Sequence, residues 1–196
     1  MMKDDFNFLT LSIFLYDDFA DFYKIVRKIY DIRIKNNKFQ ISKEIIDIKE
    51  YCNPKSGGSH FPKFSFWDLK ENSGKIFFIS NYEDGLINLC RKIRLDLKCS
   101  LIMCTMSNEI SDCKRMFYYI SDLEERLIHV YKEDKWIYYE EGTPLAFEEV
   151  KTYKKRLIKK RLDNDLIKKY LLEFGVDFSK IDEDINNFMT MELKEW

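Results

Sequence analysis

Apolar and polar positions alternate from residue 8 to 16: Leu9, Leu11, Ile13 and Leu15 fall on one side, and Phe8, Thr10, Ser12 and Phe14 on the other. That period of two predicts a strand. Asp17 or Asp18 can cap the next segment. There Phe19, Phe22, Tyr23, Val26, Ile29 and Tyr30 recur at helical spacing, as in a helix with one buried face. Phe39, Ile41, Ile45, Ile46 and Ile48 predict one or two strands over 38–48.

Residues 53–63 contain Pro54, Gly57, Gly58 and Pro62 and predict a long loop, the best place for an internal boundary. A short apolar strand is expected over 75–80 and a turn at Asn81-Tyr82. A helix with Leu86, Ile87, Cys90, Ile93 and Leu97 on one side should come next, with Glu83 and Asp84 at its start. Strands are expected at 101–106, 116–120, 126–131 and 136–140, the last two closed into a hairpin by residues 132–135. From Glu149 onward the pattern turns helical. Val150, Tyr153 and Leu157 form one stripe. Leu166, Ile167, Tyr170, Leu171 and Phe174 form a second, capped by Asp163 or Asn164 and ended by Gly175. Ser179 and Asp182 resemble a capping box for a terminal helix carrying Ile181, Ile185, Phe188 and Met189. The elements predict an α+β fold over 1–196 as a single domain: a mixed, largely antiparallel sheet with flanking helices and a helical C-terminus.

The composition agrees with a folded chain. Hydrophobic residues make up 45% of the 196, and 16 Phe and 12 Tyr supply large side chains for a core or an interface. Net charge is −1, which argues against a global pull on nucleic acid or a membrane. The acidic start, with no basic segment or small-residue cleavage site, and the lack of a long apolar run predict a cytoplasmic protein without a membrane partner. Cys52, Cys90, Cys99, Cys104 and Cys113 form no CxxC pair, so they read as buried thiols in a reducing compartment, and neither a metal nor a cofactor is expected.

Charge is arranged in blocks. Residues 121–149 carry nine carboxylates, Asp122, Glu124, Glu125, Glu133, Asp134, Glu140, Glu141, Glu148 and Glu149, against three basic residues. The stretch 151–169 reverses this with Lys151, Lys154, Lys155, Arg156, Lys159, Lys160, Arg161, Lys168 and Lys169. An acidic surface of this kind either is ordinary solvated surface or steers a cationic partner. A basic helix at 151–169 is the alternative, nucleic-acid reading, but its cations spread around the helix and no nucleic-acid motif accompanies them. An enzyme of unrecognised type is the remaining alternative. His129 lies within an expected strand and His60 in the loop beside Ser59. No nucleophile elbow, phosphate loop, dinucleotide fingerprint or zinc helix is present.

Several segments together resemble a family: Ser80 to Gly85, the Arg126 to Tyr131 strand, residues 135–148 from Lys135 through Gly142 to Glu148, the stretch 153–162 with Tyr153, Arg156, Lys159 and Arg161, and Tyr170 to Gly175. Over residues 77–178, roughly half the chain, the sequence resembles the small bacterial immunity proteins of interbacterial polymorphic toxin systems, contact-dependent growth inhibition among them. The resemblance implies a cytoplasmic antidote whose partner is a cognate toxin domain, blocked by stoichiometric binding without chemistry. Such antidotes vary too much for toxin-binding residues to be carried over. The candidate partner-binding residues are therefore Asp122, Glu124, Glu125, Glu133, Asp134, Glu140 and Glu141 of the acidic block with the adjacent aromatics Tyr131, Tyr138 and Tyr139.

Overall fold

The alternating stretch after Phe6 forms strand β1 (Phe8–Leu15), and Asp18 caps helix α1 (Phe19–Ile29) by accepting a hydrogen bond from the Asp21 amide. A short helix α2 (Asp31–Lys35) leads to β2 (Phe39–Ser42), followed by a 3-10 turn at Ile48–Tyr51. Strands β3 (Lys63–Leu69) and β4 (Ile76–Ser80) precede helix α3 (Ile87–Leu97) and β5 (Ser100–Ser107). A meander of β6 (Lys114–Ile120), β7 (Glu125–Lys132) and β8 (Trp136–Glu141) comes next. Two 3-10 turns, Thr152–Lys154 and Ile158–Lys160, lead to helix α4 (Asn164–Glu173). A further turn at Phe178–Lys180 leads to β9 (Ile185–Leu193). These elements come from a computed structural model, which describes residues 6–52, 54, 60–71, 74–108 and 113–196.

All nine strands share one sheet in the order β2-β9-β3-β4-β1-β5-β6-β7-β8. The fold is α+β as expected, but every adjacent pair is antiparallel rather than mixed. Each face buries its own cluster. On the front, α1 and α3 bring Phe22, Val26, Cys90 and Ile93 down onto Phe14, Phe66, Phe78, Leu101 and Met103. On the back, α4 and the irregular segments cover Leu11, Trp67, Phe77, Ile102, Phe117 and Ile128 with Tyr153, Leu162, Ile167 and Tyr170. Central strands covered on both faces read as continuous apolar runs, as β4 does.

Two expectations are corrected. The C-terminus is a strand, not a helix: Met189, Met191 and Leu193 join the front cluster while Phe188 joins the back, and both sides are buried. Ile181, Ile185 and Phe188 match helical spacing by coincidence, and β9 instead completes ladders with β2 and β3. The expected helix starting near residue 150 is also absent. Val150 and Leu157 are exposed and only Tyr153 of that stripe is buried. Like charges at i and i+4, Lys151 with Lys155 and Lys155 with Lys159, oppose a helix there. Of the one or two strands expected over 38–48, one forms, β2, and Ile45 beyond it is exposed. Strand β3 is not among the elements the pattern predicts. Of the expected loop at 53–63, residues 53 and 55–59 lie outside the described residues, and Gly57, Gly58 and Ser59 with them.

Candidate partner-binding face

Helix α3 covers the front only as far as β6. Its Arg91 lies over the Tyr118 ring, 5.2 Å from the centroid, donates from Nε to the Tyr118 hydroxyl at 3.2 Å, and from Nη2 to Glu125 at 3.1 Å. Tyr118 in turn donates to Glu125 at 2.6 Å. Beyond this clasp Leu127 still packs on the front cluster, whereas Tyr131, Ile137 and Tyr139 belong to neither core cluster. The strand register fixes what is displayed there. Tyr118, Leu127 and Glu141 form one cross-strand row; Met116, His129 and Tyr139 form the next; Lys114, Tyr131 and Ile137 form the third. Leu127, His129, Tyr131 and Ile137 are half-buried, and Tyr139 is 47% exposed.

His129 occupies the middle of this face, its ring 4.6 Å from that of Tyr131. Burial pushes its pKa down to about 4, and the Lys114 charge acts in the same direction. The imidazole is therefore neutral near pH 7 and behaves as part of an aromatic surface. Lys114 is itself paired with Glu83.

The structure separates the sequence-derived candidates. Tyr131 and Tyr139 lie on the open front with Glu125 and Glu141, and the Tyr139 hydroxyl donates to Glu141 at 2.6 Å. Tyr138 points to the back, half-buried, 6.0 Å from the Tyr153 ring and under the Arg161 guanidinium at 5.0 Å. Asp122 pairs with Arg94, and Glu140 with the buried Arg126. Glu124, Glu133 and Asp134 are exposed in the turns at the two ends of β7, with no ion pair among the described residues. Sequence reasoning missed Leu127, His129 and Ile137 as members of the face. The alternation within β7 and β8 was the signal that groups them with Tyr131 and Tyr139.

On the back, Arg126 is 1% exposed and fully engaged. Nε reaches Glu148 at 2.9 and 3.1 Å, Nη2 reaches Glu148 at 2.8 Å and Glu140 at 2.7 Å, and Nη1 reaches the carbonyls of Glu141 and Gly142. Glu148 also accepts from Tyr153, whose hydroxyl meets that of Tyr170 at 2.7 Å. This network ties the strap after β8 to the sheet and to α4. Every polar group in it is satisfied, as a structural ion pair requires.

The Ser80–Gly85 segment is a strand-to-helix turn. Tyr82 stacks on His60 with centroids 4.2 Å apart and donates to its carbonyl, while Asn81 bonds the backbone of Lys63 and Phe61. Neither histidine is hydrogen-bonded to a carboxylate among the described residues. Burial pushes the Cys90 and Cys104 thiols up to about 12, leaving them protonated. No group of three or more His, Cys, Asp or Glu among the described residues is arranged to hold a metal. Two open depressions of about 260 and 250 Å³ contain no histidine or cysteine; one includes Glu71, Asp177 and Glu183, the other Arg115, Asp163 and Asn164. No helix among the described residues is long and apolar enough to cross a membrane. Comparison with protein-family models, curated proteins and solved structures gives no match to this chain.

Proposed function

We propose that this protein is a cytoplasmic immunity protein that neutralises a cognate toxin domain by stoichiometric binding, and that the toxin seats on the open front of β6, β7 and β8. The observation that carries the reading is the aromatic and apolar row of His129, Tyr131, Ile137 and Tyr139, with Leu127 where it meets the front cluster, on a sheet face whose other half is covered by helices. Large aromatic side chains held by a rigid sheet are efficient interface anchors, because little freedom is lost on binding. Glu124, Glu133, Asp134 and Glu141 stand around the row without cationic partners, which favours approach of a basic toxin surface. The family resemblance over residues 77–178 supports the same reading, since the face and its supporting strap both lie within that span.

The test is capture by the tagged protein from lysate of the cells that make it, with bound material identified by mass spectrometry. The expected catch is a stoichiometric C-terminal fragment of a large secreted protein, one that arrests growth when expressed alone and is retained poorly by Tyr139→Ala. Equal retention by that variant moves the interface elsewhere. A fragment that is harmless on its own, or no such fragment from cells shown to express one, overturns the antidote reading.

A further inference from the structure

Charge is distributed differently in space than along the chain. Much of the acidic block is matched inside the fold: Asp122 with Arg94, Glu125 with Arg91, Glu140 and Glu148 with Arg126, and Glu149 with Lys169. Residues 151–160 of the basic stretch are not matched in this way. Lys151, Lys154, Lys155, Arg156, Lys159 and Lys160 are all exposed, and none of these six cations has an ion-pair partner among the described residues.

A helix would scatter these residues around its circumference. The two 3-10 turns that actually form do not. Tyr153 and Leu162 are buried and Ile158 packs on the back cluster, so the inner side of the segment is held to the protein and the cations are left outside. The backbone between them is pinned. Arg161 Nε donates to the Lys155 carbonyl at 2.9 Å, Arg115 Nη1 to the Lys159 carbonyl at 3.2 Å, and Thr152 Oγ1 to the Glu149 carbonyl at 2.8 Å. A cationic surface that is already ordered loses little entropy when it meets a polyanion.

We infer that segment 151–160 is a second binding surface, on the back of the sheet away from the toxin-facing front, and that it takes the phosphodiester backbone of a nucleic acid without regard to sequence. The cluster of exposed cations without internal ion pairs supplies the phosphate contacts. Tyr153, the aromatic of the segment, is 5% exposed, so base stacking contributes nothing and a duplex is a suitable ligand. An anionic lipid surface fits less well. Val150 and Leu157 are the exposed aliphatics here, at 42% and 52%, and two separated side chains do not make the contiguous apolar face of an interfacial anchor.

The experiment is fluorescence anisotropy of a mixed-sequence DNA duplex titrated with the full chain at increasing salt. Phosphatidylglycerol vesicles are assayed in parallel by co-sedimentation. Contact by all six cations gives a slope of log affinity against log salt of about −5, or roughly a thousandfold loss between about 50 and 200 mM salt. Combined Lys154→Gln, Lys155→Gln, Lys159→Gln and Lys160→Gln should weaken duplex binding by at least about tenfold at low salt and flatten the slope by about 3 to 4, at an unchanged melting temperature. Tyr139→Ala should bind the duplex as the wild type does, which separates this surface from the front. No duplex binding at about 50 mM salt, unchanged affinity and slope in the folded quadruple variant, or binding of vesicles in preference to the duplex each overturns the assignment.

Discussion

Tyr138 and Tyr139 are neighbours in sequence and lie on opposite faces of the sheet. Tyr138 packs at the back, 6.0 Å from the Tyr153 ring, whereas Tyr139 is 47% exposed at the front, with its hydroxyl on Glu141. Truncating each therefore separates stability from binding. Tyr138→Ala should cost about 2 kcal/mol of stability, below the range for a fully buried aromatic because the ring is only half-buried. Tyr139→Ala should change stability by less than about 0.5 kcal/mol yet weaken toxin binding by about 2 kcal/mol, roughly thirtyfold. Urea unfolding and calorimetric titration with the captured toxin measure the two. A toxin affinity that responds to Tyr138 and ignores Tyr139 would place the interface on the back.

Arg126 carries a prediction about the strap. Arg126→Met leaves Glu148, whose side chain is 0% exposed, without its cation, so a loss of about 3–5 kcal/mol is expected. Arg126→Met combined with Glu148→Leu should recover a good part of that loss, because the cost lies in the uncompensated charge rather than in the missing pair. Chemical denaturation of the two variants decides it. A double variant no more stable than the single one contradicts this account and makes the remaining bonds, to Glu140 and the Glu141 and Gly142 carbonyls, the important ones.

The parts of the fold legible in the sequence are those whose residues admit a single explanation. The 8–16 alternation, the Asp18 and Asp163 caps and Gly175 at positive φ behave as local chemistry dictates, and the elements they mark are where the pattern placed them. Strand β9 was hidden because Ile181, Ile185 and Phe188 satisfy helical spacing as well. Only the tertiary context, two neighbouring strands awaiting partners, selects the extended form. Strand β3 has buried residues on both faces, Phe66 and Trp67 among them, so it shows no alternation to read, and it comes directly after the Pro- and Gly-rich loop. At the candidate face, the block of acidic and aromatic residues was visible. Its division into a front and a back is contained in the period of two, which parts Tyr138 from Tyr139 and Glu140 from Glu141. Which carboxylates are neutralised depends on Arg91, Arg94 and Arg126, and for Arg91 and Arg94 the pairing joins α3 to the start of β7 and to the turn before it, far along the chain.

Gly142 provides a steric test. It ends β8 with φ +82°, a conformation L side chains rarely adopt, and a Cβ there would lie 1.9 Å from the Glu125 carbonyl oxygen. That neighbour is backbone within β7 and has no room to yield. Gly142→Ala should therefore cost about 3 kcal/mol or more and displace the strap, whose Gly142 carbonyl accepts from Arg126 at 3.0 Å. Gly74→Ala is the matched control: its φ is also positive, at +89°, but nothing stands within 4 Å of an added Cβ, so only the conformational strain of about 1 kcal/mol should appear. Equal losses in the two variants would falsify the steric account.

His129 makes the protein's stability depend on pH in a defined window. Its folded pKa is lowered to about 4, mainly by burial, from the ordinary histidine value of 6.5. Between these values the unfolded chain takes up a proton that the folded protein refuses, and acid favours unfolding. The stabilisation is complete above about pH 6.5, declines as the pH falls, and is gone below about pH 4. The part due to His129 should be about 1–3 kcal/mol, discounted from the full shift because the ring is only half-buried. His129→Phe keeps an aromatic ring in the centre of the face and removes the titration. Urea unfolding of both proteins should show the wild type losing stability relative to the variant as the pH drops through that window, with the remaining carboxylate dependence common to both. Protonation also sets a positive charge among Tyr131, Tyr139 and Met116, where a basic toxin surface is proposed to dock, so toxin affinity should fall over the same window in the wild type and hold in His129→Phe. Parallel curves for the two proteins, in stability and in affinity, would show that His129 is not the group that titrates.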